Sequence, residues 1–317
     1  MTAAERHFRA MGSDAHLVVV GGPADLLDEA QRRIEQLERR WSRFIASSEV
    51  CDLNRRAGRA VTVSADTALL VGRALEAWRL TGGGFDPTVL GAVLRAGYDV
   101  SFDDISAESA RRGSSLIIGC SDIEIDGDSV RLPPGAGFDP GGIGKGLAAD
   151  ILMDELLAAG AEGACVNLGG DLRVAGCNPH DQAWTIAIEH PSMVEPIAMI
   201  GLHTGAVATS TTLRRRWNVD GQMRHHLIDP TTGESSRSDL EMTTVIAGEA
   251  WVAEVMAKAV LLRGSARAFD IVDDNNVHVL TVDARGAVRT TPQFQLFAGT
   301  IPVPTDLAQL RILEGTS

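Results

Sequence analysis

Apolar residues recur at helical spacing in four segments of the chain. The segment 23–44 carries a stripe made of Leu26, Leu27, Ala30, Ile34, Leu37 and Trp41. This spacing places the side chains on one face of a helix. Comparable patterns predict helices over 64–80, with Ser64 as a candidate N-cap, over 147–159 and over 248–263.

Short apolar runs between these segments predict strands. They lie at 15–20, 164–168, 184–189, 197–203 and 205–209. Two hairpins are also expected, one over 122–132 around Asp126-Gly127 and one over 277–290. Helices interleaved with hairpins favour an α+β layered fold over a purely parallel sheet.

Composition and charge narrow the class of protein. Of the 317 residues, 44% are hydrophobic and 22% are charged, as in ordinary globular proteins. The formal net charge of −13 argues against a nucleic-acid binder, which needs clustered Lys and Arg. The four cysteines form no C-x-x-C pair, so they are expected to be buried thiols. The sequence shows neither an apolar run of membrane-spanning length nor a secretory signal, so a cytoplasmic protein is expected.

The segment 137–150 carries the clearest chemistry, with five glycines around Lys145 just before a predicted helix. Glycines let backbone N–H groups approach a ligand, and a helix N-terminus favours negative charge. Lysine adds a point charge for a phosphate, so the segment predicts a pyrophosphate-binding loop. It matches neither the Walker A nor the Rossmann spacing, and a flexible turn remains an alternative.

Three further clusters accompany this loop, at 81–89, 167–171 and 225–233. Each alone is compatible with an ordinary turn. In their order and spacing they resemble the ApbE family, the FAD:protein FMN transferases. The resemblance spans about residues 8–265. Its markers are Met11-Gly12-Ser13, Ser48-Glu49, Leu53-Asn54, residues 84–89, residues 139–146, residues 167–171, residues 226–233 and the helix around 253–259.

The resemblance implies a fold and an activity. Family members bind FAD, cleave its pyrophosphate, and transfer FMN to a Ser or Thr hydroxyl of a target protein through a phosphoester bond, releasing AMP. Some members hydrolyse FAD instead, and magnesium is usual. The implied fold has two lobes with mixed or antiparallel sheets, flanking helices and an FAD cleft between the lobes. We therefore expect one such domain over 1–317, with 266–317 as C-terminal strands and tail.

The resemblance also implies roles for individual residues in holding FAD. Met11 and Ser48 are expected at the flavin or adenine end. Gly84, Phe85 and Asp86 are expected to contact FAD. Asp139 and Lys145 are expected to flank the pyrophosphate, and the Gly142 carbonyl falls at a family metal ligand.

The segment containing His226, Ile228 and Asp229 is expected near the transferred phosphate. Phosphoryl transfer depends on charge neutralisation and positioning, which Lys145 and backbone N–H groups would supply. A histidine can accept the proton of the incoming hydroxyl, so His226 is the candidate base, although a structural hydrogen bond within the turn is an alternative. Asp229 either orients His226 or caps its own turn.

One departure from the family pattern concerns the metal. The family helix offers an Asp and, four residues later, a Thr, whereas this chain has Glu254 and Lys258. Side chains four apart lie on one helical face, so an ion pair is expected. A lysine disfavours Mg²⁺, which prefers oxygen ligands. The hypothesis is that Lys258, held by Glu254, partly replaces the ion.

Three other functions remain open at this stage. One is an FAD-binding protein that has lost transfer, which the Lys258 substitution favours. Another is an FAD pyrophosphatase. The third is an unrelated nucleotide-binding enzyme whose glycine loop imitates the family. The partners expected are FAD and a target protein with an acceptor Ser or Thr, without a membrane span.

Overall fold

Helices and strands interleave along the chain in the computed structural model, which describes residues 2–99, 117–180, 182–219, 221–272, 276–299 and 303–307. The helices are α1 Leu26–Trp41, α2 Glu49–Arg55, α3 Ala65–Leu80, α4 Leu90–Arg95, α5 Gly144–Ala158 and α6 Ala250–Arg263, with a 3-10 helix at Pro292–Leu296. The strands are β1 Ala3–Ala10, β2 Ser13–Val20, β3 Ala60–Thr62, β4 Glu124–Asp126, β5 Ser129–Arg131, β6 Gly163–Leu168, β7 Asp171–Gly176, β8 Trp184–Ile188, β9 Ala198–Leu202, β10 Gly205–Thr211, β11 Arg216–Val219, β12 Gln222–His225, β13 Ile228–Asp229, β14 Glu234–Ser235, β15 Leu240–Ala247, β16 His278–Asp283 and β17 Val288–Thr290.

The main sheet has eight strands in the order β1-β2-β6-β7-β10-β15-β16-β17, with neighbouring strands antiparallel. Three two-stranded ribbons and the small sheet β3-β5-β4 accompany it in the described residues. The predicted α+β class with antiparallel sheets is confirmed.

The two faces of the main sheet pack against different layers. Along β2, Leu17 and Val19 join a large core with apolar residues of α1, α3, α5 and α6. The alternate residues Val18 and Val20 point to the other face, where they join a second cluster with β8 and β9. Period-two alternation along a strand produces this division.

The four predicted helices are confirmed as α1, α3, α5 and α6, with shifts at their ends. All six apolar residues of the α1 stripe are buried. The predicted N-cap is confirmed, because the Ser64 hydroxyl accepts a hydrogen bond from Thr67 N at 3.4 Å. The predicted strands and both hairpins are also present.

Helices α5 and α6 pack closely against each other. A Cβ at Gly146 would collide with the Ala250 carbonyl and lie 2.7 Å from Trp251 N. Asp150 of α5 accepts hydrogen bonds from Ala250 N at 2.8 Å and Trp251 N at 2.9 Å, so it caps α6. This contact fixes the positions of side chains on both helices.

Among the described helices, none combines the length and the apolar character needed to cross a bilayer. Parts of the expected C-terminal tail, residues 300–302 and 308–317, fall outside the described residues.

Candidate functional site

A cavity of about 1140 Å³ lies between the glycine loop, the β1–β2 hairpin and the segment around His226. Most of the residues that sequence analysis singled out line it. They are Met11, Gly84, Phe85, Asp86, Asp139, Gly142, Lys145, His226, Ile228, Glu254 and Lys258. The size suits a large ligand, because small-molecule pockets typically measure about 300–1,000 Å³.

The tetrapeptide Gly-Phe-Asp-Pro occurs twice, at 84–87 and 137–140, and the two copies lie side by side. Asp139 N donates to Pro87 O at 2.7 Å, and Gly137 O accepts from Leu90 N at 3.4 Å. Asn54 holds the second copy, because its side chain accepts from Phe138 N at 2.7 Å and donates to Phe138 O at 2.9 Å. The two copies together form one wall of the cavity.

The aspartates of these copies have different partners. Asp86 accepts from Thr88 N at 2.7 Å and Thr88 Oγ1 at 2.5 Å, and burial raises its pKa. Asp139 accepts from Gly141 N at 2.8 Å, and its other oxygen lies 3.8 Å from Arg43 Nε. Asp139 therefore stabilises the glycine loop through its hydrogen bond with Gly141.

Lys145 lies between two buried carboxylates. Its Nζ contacts Asp171 Oδ2 and donates to Glu254 Oε1 at 2.9 Å. The second oxygen of Glu254 accepts from Gly146 N at 2.8 Å. Burial alone would lower the pKa of Lys145, but the two carboxylates outweigh it and raise the pKa. For Asp171, burial acts in the other direction and raises the pKa of the carboxyl.

The expected ion pair between Glu254 and Lys258 is wrong. Lys258 Nζ donates to Gly141 O at 2.6 Å, whereas Glu254 is engaged by Lys145. Helical spacing puts both side chains on one face of α6, but a lysine from another helix competes successfully for the carboxylate. Lys258 Nζ also lies 5.6 Å from the centre of the Phe85 ring. Burial lowers the pKa of Lys258.

Gly142 lies directly against the Lys258 ammonium group. Its φ is +101°, and a Cβ there would collide with Lys258 Nζ. A non-glycine residue would therefore be strained and would displace the lysine. The carbonyl that Lys258 binds belongs to Gly141 rather than to Gly142, the expected metal ligand.

His226 lines the cavity at the bend after β12. Burial lowers the pKa of its imidazole well below 6.5, and the nearby charges of Lys258 and Arg215 lower it further. The ring is therefore neutral at physiological pH. Its Nδ1 is buried and lacks a hydrogen-bond partner within the described part of the chain. Buried polar atoms without partners are uncommon in folded proteins, so this nitrogen is open to a hydrogen bond from a ligand.

Asp229 caps its own turn. Its Oδ1 accepts from Thr231 N at 2.8 Å and Thr231 Oγ1 at 2.7 Å, and its carbonyl accepts from Gly233 N at 2.8 Å. Of the two alternatives left open by the sequence, these contacts match the turn cap rather than an orienting bond to His226. Its neighbour Ile228 is buried and lines the cavity.

Met11 and Ser48, both expected at one end of the ligand, differ in position. Met11 lines the cavity in a left-handed conformation with φ 51°. Ser48 is 1% exposed, and its Oγ accepts from Cys51 N at 3.0 Å as the N-cap of α2. The same stretch reaches the cavity through Ser42, Arg43, Phe44 and Ile45 instead.

Sequence reasoning missed the roles of Asp171 and Arg43. In the sequence, Asp171 is only the last residue of the 167–171 marker, yet it starts β7 beside Lys145. The Gly169-Gly170 pair was the available sequence signal for a tight hairpin, and both glycines have positive φ in the structure. Arg43, which lies over the rings of Phe44 and Tyr98 at 4.1 and 4.3 Å, carries no recognisable motif.

Comparisons with known proteins agree with one another. The model of the ApbE family matches residues 11–281. The FAD:protein FMN transferase of Vibrio cholerae is 28% identical, with 86% of this chain and 82% of that protein covered. The FAD:protein FMN transferase of Klebsiella pneumoniae is 30% identical, with 74% of this chain and 78% of that protein covered.

Solved structures show the same similarity. The crystal structure of the ApbE protein from Thermotoga maritima aligns with a TM-score of 0.84 at 27% identity, covering 94% of this chain and 99% of that one. The flavin transferase ApbE from Vibrio cholerae aligns with a TM-score of 0.77 at 26% identity, covering 93% of this chain and 100% of that one.

Proposed function

Because the chain belongs to the ApbE family, we propose that it transfers FMN from FAD to a Ser or Thr hydroxyl of a target protein and releases AMP. The observation that carries this proposal is the convergence of the glycine loop, Lys258 and His226 on one large cavity. We further propose that residues 1–317 act as a single transferase domain.

The glycine loop and Lys258 would bind the diphosphate of FAD. The loop leads into the N-terminus of α5, where the helix dipole favours an anion. Lys258 adds a positive charge that is held by a carbonyl rather than cancelled by a carboxylate. Two phosphates beside it would offset the burial that lowers its pKa, so binding favours its charged form.

His226 would act as the base in the transfer step. The acceptor oxygen attacks the phosphorus of the FMN half, and the bond from that phosphorus to the bridging oxygen breaks. AMP leaves with the bridging oxygen, while the hydroxyl proton passes to His226. A neutral imidazole is the form that accepts a proton, and the low pKa of His226 keeps it neutral.

Lys145 would position these groups rather than contact the phosphates. Its charge is taken up by Asp171 and Glu254, which lie with it under the loop. Through the hydrogen bond from Gly146 N to Glu254, the same cluster holds the first turn of α5.

Magnesium in the position implied by the family does not fit these residues. Mg²⁺ needs nearly octahedral oxygen ligands. Lys258 places N–H donors against Gly142, and both oxygens of Glu254 are already engaged by Lys145 and Gly146 N. We propose that the Lys258 ammonium supplies the positive charge in that place.

The transfer is tested by incubating the protein with FAD and a target that carries the family's usual Asp-x-x-Ser/Thr-Gly-Ala-Ser/Thr acceptor motif. A fluorescent target band on a denaturing gel, with one AMP released per label, is the expected result. AMP and free FMN without labelling would identify a pyrophosphatase. Bound FAD without AMP would identify a flavin-binding protein, and either outcome overturns the transferase proposal.

The metal proposal is tested separately with excess chelator. We expect the parent protein to keep its activity, whereas Lys258→Thr, which restores the family hydroxyl, should become dependent on added Mg²⁺. Complete loss of parent activity on chelation, recovered by Mg²⁺, would contradict the role given to Lys258.

A further inference from the structure

A second group of ligand-type side chains lies on the β1–β2 hairpin. Glu5 and His7 are two residues apart in β1, so they share one face of the strand. His16 of β2 lies directly opposite His7 in the ladder. The candidate ligand atoms of all three side chains lie within 4.8 Å of one another.

The contacts within this group are close. His16 Nε2 lies 3.4 Å from Glu5 Oε2. The imidazole rings of His7 and His16 stack with their centres 3.9 Å apart and their planes 8° from parallel. Both nitrogen donors and the carboxylate are thus gathered on one exposed patch by the strand register alone.

We propose that Glu5, His7 and His16 form a binding site for a divalent transition metal ion of the zinc class. Two imidazole nitrogens and one carboxylate oxygen form a donor set typical of zinc sites with three protein ligands. Imidazole donors favour Zn²⁺, Ni²⁺ or Cu²⁺ over Mg²⁺ and Ca²⁺. Ligand atoms of a tetrahedral zinc site lie about 3.3 Å apart. The stacked rings hold their nitrogen lone pairs in nearly parallel planes, so binding requires one imidazole to turn out of the stack.

The surrounding charges are compatible with a cation. Arg9, the next residue on the same face, pairs with Asp14 at 3.2 Å. Arg6 belongs to the opposite face and pairs with Asp28 at 2.7 Å. The positive charges of the hairpin are therefore compensated near the site, and the chain as a whole carries a net charge of −13.

The three ligands lie on other elements than the residues proposed for transfer. Glu5, His7 and His16 belong to the β1–β2 hairpin, and His7 and His16 also line the cavity, whereas Lys145 lies on α5 and Glu254 and Lys258 lie on α6. Three protein ligands leave a coordination position for water or for a group of a bound molecule. The proposal does not depend on the transferase proposal.

The test is calorimetric titration of Zn²⁺ into the metal-stripped full chain. One ion per chain is expected, and His7→Ala and His16→Ala should each weaken binding at least about tenfold. His203→Ala, which removes an exposed histidine elsewhere, is the matched control and should bind like the parent. No binding, or equal affinity in the parent and both hairpin variants, would overturn the site.

Co²⁺ absorption adds a readout that separates this site from the cysteines. Four free thiols are present and could bind zinc themselves. Ligation by the hairpin should give tetrahedral d–d bands without a thiolate charge-transfer band, and both hairpin alanine variants should lose them. A thiolate band that survives in those variants would assign the ion to cysteine instead. Unchanged thermal midpoints of the metal-free variants would show that folding is intact.

Discussion

Lys145 belongs to the glycine-loop segment and Lys258 contacts it from α6, and the surroundings of the two lysines differ. Lys145 reaches two carboxylates whose side chains are each 5% exposed. Lys258 reaches only a backbone carbonyl among its described hydrogen-bond partners, and it faces the cavity. The first lysine neutralises buried carboxylates, whereas the second faces the cavity, as the proposed binding of phosphates requires. Residue type and proximity to the loop therefore do not by themselves give two lysines the same surroundings.

We expect the largest effect in this comparison from Lys145→Met, and we expect it in the free energy of unfolding. Removing the cation leaves Asp171 and Glu254 buried without their shared partner, which costs stability. We expect a loss of about 3 kcal/mol in the free energy of unfolding, the low end of the usual 3–5 because Lys145 is 21% exposed. Denaturant-induced unfolding measures it.

The stability deficit of Lys145→Met, which is its loss in the free energy of unfolding relative to the parent, should depend on pH. Burial raises the pKa of Asp171 and Lys145 lowers it, so removing Lys145 raises this pKa further and the folded variant binds a proton more readily than the folded parent. The deficit should therefore shrink as the pH falls towards the acidic range. A variant as stable as the parent at neutral pH would contradict the structural role.

The second effect is expected from Lys258→Met, the matching substitution on the other lysine. Losing one positive charge at the reacting phosphates should lower kcat about 10²-fold, equivalent to about 2.7 kcal/mol. The free energy of unfolding should change little, because no carboxylate loses its partner. AMP release gives the rate. If both Met variants lost the same stability and the same activity, the distinction between the lysines would fail.

The third effect concerns Gly142→Ala, which adds one methyl group against the Lys258 ammonium. Strain at positive φ costs about 1–2 kcal/mol, and displacement of the lysine should lower activity as well. Gly127→Ala, in the β4–β5 hairpin, is the matched control, because its φ of +59° is also positive but its Cβ would meet nothing within 4 Å. Equal behaviour of the two variants in AMP release would show that Lys258 is not held against Gly142.

The smallest effect is a displacement of the pH profile. Protonation of His226 below its lowered pKa should abolish its function as a base, so the acidic limb of kcat/KM, which reports the free protein, lies below pH 6.5. Because the charge of Lys258 contributes to that lowering, Lys258→Met should move the limb to higher pH. The rate of AMP release by Lys258→Met, measured across a range of pH, checks this. If the acidic limb of the variant lies at the same pH as that of the parent, the charge of Lys258 does not influence the pKa of His226.

The fold was predictable where one face of an element is buried. The α1 stripe is fully recovered because α1 lies on the surface of the core and alternates buried with exposed residues. Strand β15, by contrast, is buried along nearly all of its length, so it shows no alternation and was not predicted. Strand β7 was missed for a related reason, since four of its six residues are buried.

The candidate site was predictable at the level of segments but not of contacts. The glycine loop and the His226 segment were located by their motifs, and both line the cavity. The partner of Glu254 was not, because helical spacing counts only neighbours within α6, whereas Lys145 arrives from α5. Contacts between elements depend on how closely the helices approach, and no local pattern records that.

The close packing of α5 against α6 limits which substitutions the site can tolerate. At Gly146 the backbone of one helix touches that of the other, and even a methyl group would force them apart. Lys145 is the adjacent residue, so any widening there would draw its amine away from the carboxylate on the opposite helix. Gly146, which has no side chain, thus sets the distance between the charges of Lys145 and Glu254. A larger residue at 146 should abolish activity even though both charged residues remain in the sequence.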